Sequence, residues 1–375
     1  MKSKSQMVLV GAFAIMAALV WPHDALAIPA MARKFNVACQ ACHTVMPELN
    51  PFGKAVQEAG FRMPAGTPGE GTQMGTDLGE GYVIDKFPPL SFRIKGYPVQ
   101  YINEEDEGEK GTFFRPLHEL EILSYGAFGD RWSYKAEMEF EDEDNFDPGV
   151  VAAVEFEVNH ALKLFAGYAP LLAFDPYNTF KDGGHRIERT HHAVMNFAGT
   201  VDAKLRKDGQ LFGLRGRAGK VFYLAAMTPG PGQKVPELEQ MDGVGRLVVD
   251  VTDRVSVGAL GYYAATPASD TARIAADLNA WLEKGGTLKS IVMYDTDAET
   301  VLGELAWDMV HKLEHVSLFP LARADIKYKD DLDAGLTAGF GTMIENGRVW
   351  LEFTEPIEEG DAETPQVTLA FDVVF

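Results

Sequence analysis

The chain has 375 residues, 46% of them hydrophobic and 24% charged, and a formal net charge of −21 at pH 7. Such acidity excludes nucleic acid as a partner and excludes anchoring to anionic lipid through a basic surface, since both need clustered Lys and Arg. It suits small cations or plain solubility. Beyond the first residues no segment has the ~18 consecutive apolar residues of a membrane helix, so any membrane crossing would have to use strands.

Residues 1–27 read as an export signal. Lys2 and Lys4 open it, Met7 to Trp21 form an apolar run, and Ala25-Leu26-Ala27 supplies a small-residue cleavage site. The mature chain is expected to begin near Ile28, outside the cytoplasm.

Residues 28–63 contain Cys39-Gln40-Ala41-Cys42-His43, which uses both cysteines of the chain. Two thiols at this spacing, followed directly by histidine, form the attachment sequence of a c-type haem. Cys39 and Cys42 bond the porphyrin covalently, and His43 ligates the iron from one face. A zinc or disulfide pair is the alternative for a CxxC, but no second pair stands at metal-ligand spacing. One covalently bound c-type haem is the expected cofactor. Met63 is placed to fold back as the second axial ligand. Met46 and Met74 are local alternatives, and a barrel-wall histidine (His118, His191 or His192) or an open position stays possible. The apolar positions around the motif have helical spacing broken at Pro47 and Pro51, with Gly60 at a helix end. About 36 residues are too few to bury a core alone, so the segment needs its cofactor and a host surface.

Residues 64–89 are expected to be a Gly/Pro-rich linker. From 90 to 375 the pattern changes to period two. Tyr134, Ala136, Met138 and Phe140 alternate with Lys135, Glu137, Glu139 and Glu141, and Val367, Leu369, Phe371, Val373 and Phe375 share one face. Alternation alone fits a β-sandwich with its apolar face inward. Segments near the ~9–11 residues of a tilted membrane strand favour an outer-membrane β-barrel. So do tight turns at Gly129-Asp130, Gly285-Gly286 and Asn346-Gly347, and the terminal Phe375. Five strands counted forward from Leu90 and twelve counted back from Phe375 make seventeen, an odd number for a single-chain bacterial barrel. The conflict falls in Leu171 to Arg189. If 172–180 crosses there are eighteen strands; if one candidate fails there are sixteen, which the length favours.

The stretch from Ile28-Pro29 through Cys39-Gln40-Ala41-Cys42-His43-Thr44-Val45-Met46-Pro47-Glu48-Leu49-Asn50-Pro51-Phe52-Gly53-Lys54 to Gly60-Phe61 resembles the start of the fused monohaem cytochrome–porins of iron-oxidising bacteria. The resemblance implies a porin of sixteen strands with the haem segment lodged in or under it in the outer membrane. It also implies electron uptake from an extracellular donor, Fe(II), and delivery to a periplasmic c-type cytochrome or other acceptor. Arg33-Lys34-Phe35-Asn36 departs from the run expected there. No acid–base catalysis is needed.

The acidic runs at Glu104 to Glu109, Glu139 to Asp147 and Glu355 to Asp361 are expected on the outer side. They read as a solvated rim or as a cation-concentrating surface. Arg215 and Arg217 are expected to point inward from a strand. The alternative function is a diffusion porin whose haem-bearing segment plugs the pore.

Overall fold

The computed structural model describes residues 30–64, 75–77, 83–85, 90–104, 109–142, 145–180, 193–197, 199, 205, 208–228, 241–265, 270–283, 285–313, 317–344, 346–359, 361–362 and 365–375. The export signal, Met74, His185, His191 and His192 lie outside them.

Sixteen antiparallel strands close into one barrel. They are β1 (Ser91–Glu104), β2 (Glu109–Phe128), β3 (Trp132–Glu141), β4 (Pro148–Asn159), β5 (Leu162–Pro170), β6 (Asp208–Ala218), β7 (Val221–Thr228) and β8 (Asp242–Asp250). The second half comprises β9 (Val255–Ala265), β10 (Asp270–Leu282), β11 (Gly286–Asp295), β12 (Thr300–Met309), β13 (Ser317–Tyr328), β14 (Leu332–Ile344), β15 (Gly347–Glu358) and β16 (Gln366–Val374). Two-residue fragments at His311–Lys312 and Asp361–Ala362 prolong β12 and β16. Within the linker, Gly75–Asp77 pairs with Val83–Asp85 as a separate two-stranded sheet.

The barrel is apolar outside and polar inside. Along β10, Thr271, Arg273, Asp277 and Asn279 are buried, while Ile274 between them is 61% exposed. This inverts the sandwich alternative, in which the apolar face would be the covered one. Bulky apolar side chains such as Phe212, Leu247, Val292, Leu336 and Leu351 stand outward in a band. Aromatic side chains flank it: Phe92, Phe128 and Trp132 near the short-turn end, and Tyr168, Tyr263, Tyr294 and Tyr328 at the other strand ends. An apolar belt between aromatic girdles is the signature of a barrel in lipid. Among the described residues no helix is long and apolar enough to cross a membrane, so strands make the crossing.

Closure is made by β16 against β1. There the Phe375 N–H donates to the Phe92 carbonyl at 2.8 Å, the Phe92 N–H donates back at 2.7 Å, and the rings stack at 6.1 Å. Gly129 and Gly285, in turns at the same end, take φ of +57° and +83°, a left-handed backbone that favours glycine. Short turns and both barrel termini therefore share one mouth. In outer-membrane barrels that mouth is periplasmic, and the longer connections face outward.

The strand conflict resolves at sixteen because eleven strands, not twelve, lie between Asp208 and the carboxyl terminus. Segment 172–180 does not cross. It turns into the lumen, where Leu171, Leu172, Phe174, Tyr177 and Phe180 are all buried, joined by Val194 and Met195 of helix α3 (Ala193–Asn196). An apolar run ending in Asp175-Pro176 lacks a strand's alternation, and it packs on inward apolar residues such as Phe165 and Phe222.

Replacing Leu351, on the lipid face of β15, by arginine is expected to cost about 2–4 kcal/mol, as for a charge near the bilayer midplane. Urea titration of barrel refolded into vesicles would measure it; a cost near zero would place this face in water.

Candidate functional site

The segment ahead of the barrel sits inside its short-turn mouth. Helix α1 (Ala30–Phe35) buries Ala32 and Phe35, a short 3-10 turn covers Cys39–Ala41, and helix α2 (Pro51–Glu58) follows. Pro51 fits the first turn of α2, where its missing N–H costs no hydrogen bond. Asn50 caps the helix by accepting from the Gly53 N–H at 2.9 Å, and its Nδ2 donates to the Ala41 carbonyl at 2.9 Å. The Asn50 N–H donates to the Cys42 carbonyl at 2.9 Å. One asparagine thus ties the CxxCH turn to the helix. The two lie so close that a Cβ on Gly53 would come within 2.1 Å of the Cys42 carbonyl oxygen. Gly60 follows the helix with φ +68°, the predicted helix end.

Cys39 and Cys42 are half-buried and not joined to each other. As free thiols burial pushes both up, Cys42 to about 11. That is the reverse of the low thiol pKa of CxxC oxidoreductases. His43 Nδ1 lies 3.0 Å from the Pro47 carbonyl, which can only accept, so Nδ1 carries the proton and Nε2 keeps its lone pair. Burial lowers the His43 pKa, which favours this neutral ring. A histidine held by backbone carbonyls in this way has an oriented ring, as metal-ligating histidines do. Two unjoined thiols, a neighbouring oriented imidazole and a buried apolar flank at Val45 and Met46 fit a covalently held haem.

The plug is held from all round the wall. Arg33 donates to the Leu90 carbonyl at 2.6 Å, and Arg62 to the Gly129 and Trp132 carbonyls at 3.0 and 2.8 Å. Lys163 of β5 and Arg215 of β6 cap the carboxyl end of α2 through the Glu58 carbonyl at 2.7 and 3.4 Å, cations where the helix dipole is negative. Lys289 of β11 pairs with Glu48 at 2.6 Å with both side chains buried, and Trp281 Nε1 donates to the Leu49 carbonyl at 3.0 Å. Cys39 Sγ lies 3.7 Å from Asn346 Oδ1, in the turn before β15. The inward arginine pair read from the sequence is present: Arg215 holds Glu155, and Arg217 holds both Glu58 and Asp250.

Plug and in-turned segment also meet each other. Lys54 pairs with Asp250 at 3.1 Å and lies 4.5 Å from the centre of the Tyr177 ring, while the Tyr177 hydroxyl donates to Asp250 at 2.8 Å. Asp175 is held by the fully buried Arg246 at 2.7 Å. These fastenings were not legible in the sequence, although a recurrence of Lys and Arg at inward parity in so acidic a chain was a usable signal.

Met46 is buried beside the CxxCH turn, in a cluster with Tyr97, Phe319, Met343 and Trp350. Half-buried Met63 follows Arg62 on the β2–β3 sector, four strands round the wall from the β14–β15 turn that receives Cys39. His118 stacks on Tyr97 at 4.6 Å, and its Nδ1 is 2.9 Å from Asp142. Ligand atoms of His118, Glu119 and Glu141, and of Glu119, Glu121 and Glu139, approach within 4.8 Å of one another. Glu119 already pairs with Lys95 at 2.9 Å and Arg93 at 3.4 Å, which makes these groups part of the wall's ion-pair lattice.

No family model and no curated protein matches the chain. The fold is similar to the anion-selective porin from Comamonas acidovorans (TM-score 0.53, 11% identity, covering 76% of this chain and 98% of that one). It is similar also to OmpT of Vibrio cholerae in its trimer form (0.50, 11%, 76% and 98%). A triple mutant of the Rhodopseudomonas blastica porin gives comparable figures (0.50, 14%, 76% and 99%). The chain has a porin-like outer-membrane barrel. With the girdles and the closed sheet, this fold places the protein in the bacterial outer membrane. At these identities the likeness speaks for fold alone.

Replacing Lys289 by alanine leaves Glu48 charged and unpaired against the wall, at a cost of about 3–5 kcal/mol to plug seating. Limited proteolysis in detergent should release the 28–64 region faster from Lys289→Ala, and Glu48→Gln in the same chain should restore much of the resistance. Gly53→Ala should loosen α2 from the CxxCH turn and expose the plug to the same protease.

Proposed function

We propose that this protein is a c-type cytochrome built into an outer-membrane porin barrel. In this reading it takes electrons from an extracellular donor, Fe(II) by the sequence resemblance, and passes them to a periplasmic c-type cytochrome or similar carrier. The observation that carries the reading is the seating of Cys39-Gln40-Ala41-Cys42-His43 in the short-turn mouth by contacts from wall strands and turns around it.

Cys39 and Cys42 would hold the porphyrin, and His43 Nε2 would hold the iron. When bound, haem supplies one-electron storage: Fe(II) leaves as Fe(III), and the electron passes to the acceptor. The residues of the chain position and insulate. Asn50 fixes the motif against α2, the Pro47 carbonyl fixes the imidazole, and Lys289 and Arg217 fix the plug to the wall. If haem binds, Met63 past the end of α2 and Met46 beside the turn are the two described sulfurs that would be available to hold its iron together with His43. Met63→Ala and Met46→Ala distinguish them, since only loss of the true ligand removes the methionine–iron charge-transfer band.

A barrel can keep such a segment in place because every backbone group of the wall is paired around the ring. Ferric iron precipitates near neutral pH, so taking the electron while iron stays outside keeps the solid out of the periplasm. The diffusion-porin alternative shares the barrel fold and differs in what passes; the buried residues of 171–180 and the buried plug residues Val45 and Met46 lie in clusters with wall residues, which supports a haem-bearing plug.

Purified protein expressed with haem-attachment machinery should show a c-type visible spectrum, lost in Cys39→Ala/Cys42→Ala. Anaerobic stopped-flow mixing with Fe(II) should then show haem reduction, and liposomes carrying the protein should swell little in sugar. A haem-free product, or fast swelling with no spectral change on Fe(II), would overturn the reading.

A further inference from the structure

We infer that Arg348 and Trp350 of β15 receive a carboxylate of the haem, so that the barrel wall supplies the counter-charge for a cofactor carried by the plug. The inference rests on the haem reading above and names residues that reading does not use.

Two buried donors in one stack lack acceptors. Arg348 is 2% exposed and Trp350 1% exposed, with the guanidinium 4.2 Å from the centre of the indole ring. Nε and Nη1 of Arg348 have no hydrogen-bond partner, and neither has Nε1 of Trp350. Among the described residues two acids act on Arg348: Asp372, 3.3 Å from Nη2 and already gripped through both oxygens by Arg93 at 2.8 and 2.9 Å, and buried Glu352, which hydrogen-bonds neither Arg348 nor Trp350. A buried arginine with two unmet donors is costly, as is a buried indole N–H with none met. Neighbouring donors of this kind call for an anionic oxygen group, and guanidinium and indole N–H suit a carboxylate.

The position matches the cofactor. Asn346, Arg348 and Trp350 share the inward side, each step of two residues advancing ~6.6 Å along the strand. The row begins at Asn346 beside Cys39 Sγ, and Trp350 packs in one cluster with Val45 and Met46, just past His43. In a c-type haem the cysteine-bonded carbons lie on one edge of the macrocycle and the two carboxylates on the other edges. A row that starts at a bonding cysteine and reaches paired donors one and two steps on is laid out along such a group.

The test reads the coupling between haem and Arg348. Arg348→Met is made in the haem-loaded protein and in the haem-free Cys39→Ala/Cys42→Ala protein, and thermal unfolding is followed in detergent. Without haem, the substitution removes a buried unmet charge and should raise Tm; with haem, it removes the carboxylate's partner and should lower Tm. A redox titration adds a second readout. Loss of the cation should lower the haem reduction constant about tenfold, which is ~59 mV for a one-electron couple, and Arg348→Lys should restore most of it. Trp350→Phe keeps the ring and should shift the potential the same way by less. A Tm change of one sign in both backgrounds, or a potential unmoved by Arg348→Met and Trp350→Phe, overturns the inference while leaving the haem reading intact. A wild-type protein without a c-type spectrum overturns both, and the spectrum alone tells these failures apart.

Discussion

A charged group taken out of water must meet its opposite, and almost everything in this structure follows from where those meetings occur. A sixteen-strand ring turns its polar side chains into a lumen too wide for them to fill. The inward arginines and lysines pair with acids on neighbouring strands, as Arg273 does with Asp295 at 2.7 Å, and with acids brought from elsewhere in the chain. Glu48 and Glu58 come from the plug and Asp175 from the in-turned segment, each to a basic residue of the wall. The plug lacks a core of its own, and wall bases such as Lys289 and Arg217 find acids on it. Each supplies what the other needs.

That reciprocity explains how a short segment ahead of the barrel is held in its mouth. A helix of eight residues is marginal alone in water. Here its amino end is capped by Asn50 and its carboxyl end by Lys163 and Arg215, while its side chains Lys54 and Glu58 reach the wall on β6 and β8. Lys54, Tyr177, Arg217 and Asp250 join the plug, the in-turned segment and two wall strands at one point. A segment entering from the outer side and a segment bearing the thiols therefore share fastenings.

Strand identity was legible because lipid enforces a period of two along each crossing, broken only locally at bulges such as those near Tyr97 and Leu369. Residues 134–141 and 367–375 show it plainly, and Phe375 at the seam was readable as a terminal signal. The count was legible as sixteen from the length, with eighteen left open because Leu171 to Phe180 is apolar like a membrane strand but owes its apolarity to the lumen contents it packs on. Composition reports that a segment is buried and is silent about which side of the wall buries it. The CxxCH motif was legible because its cysteines and histidine are neighbours in the chain. Its setting was hidden, since Lys289 lies far along the sequence from Glu48 and nothing local to either residue announces the pair.

By itself, then, the sequence carried a CxxCH motif, an alternating wall and an aromatic end, all properties written in residues a few positions apart. Tertiary structure alone decided that sixteen strands close, that 171–180 folds inward, and that the motif lies in the short-turn mouth. It alone also left Arg348 and Trp350 side by side without acceptors beside the plug. The physical reason is that closure and charge pairing are long-range. Which acid meets which base depends on how the ring brings distant strands around a common lumen, and no window of sequence contains that geometry.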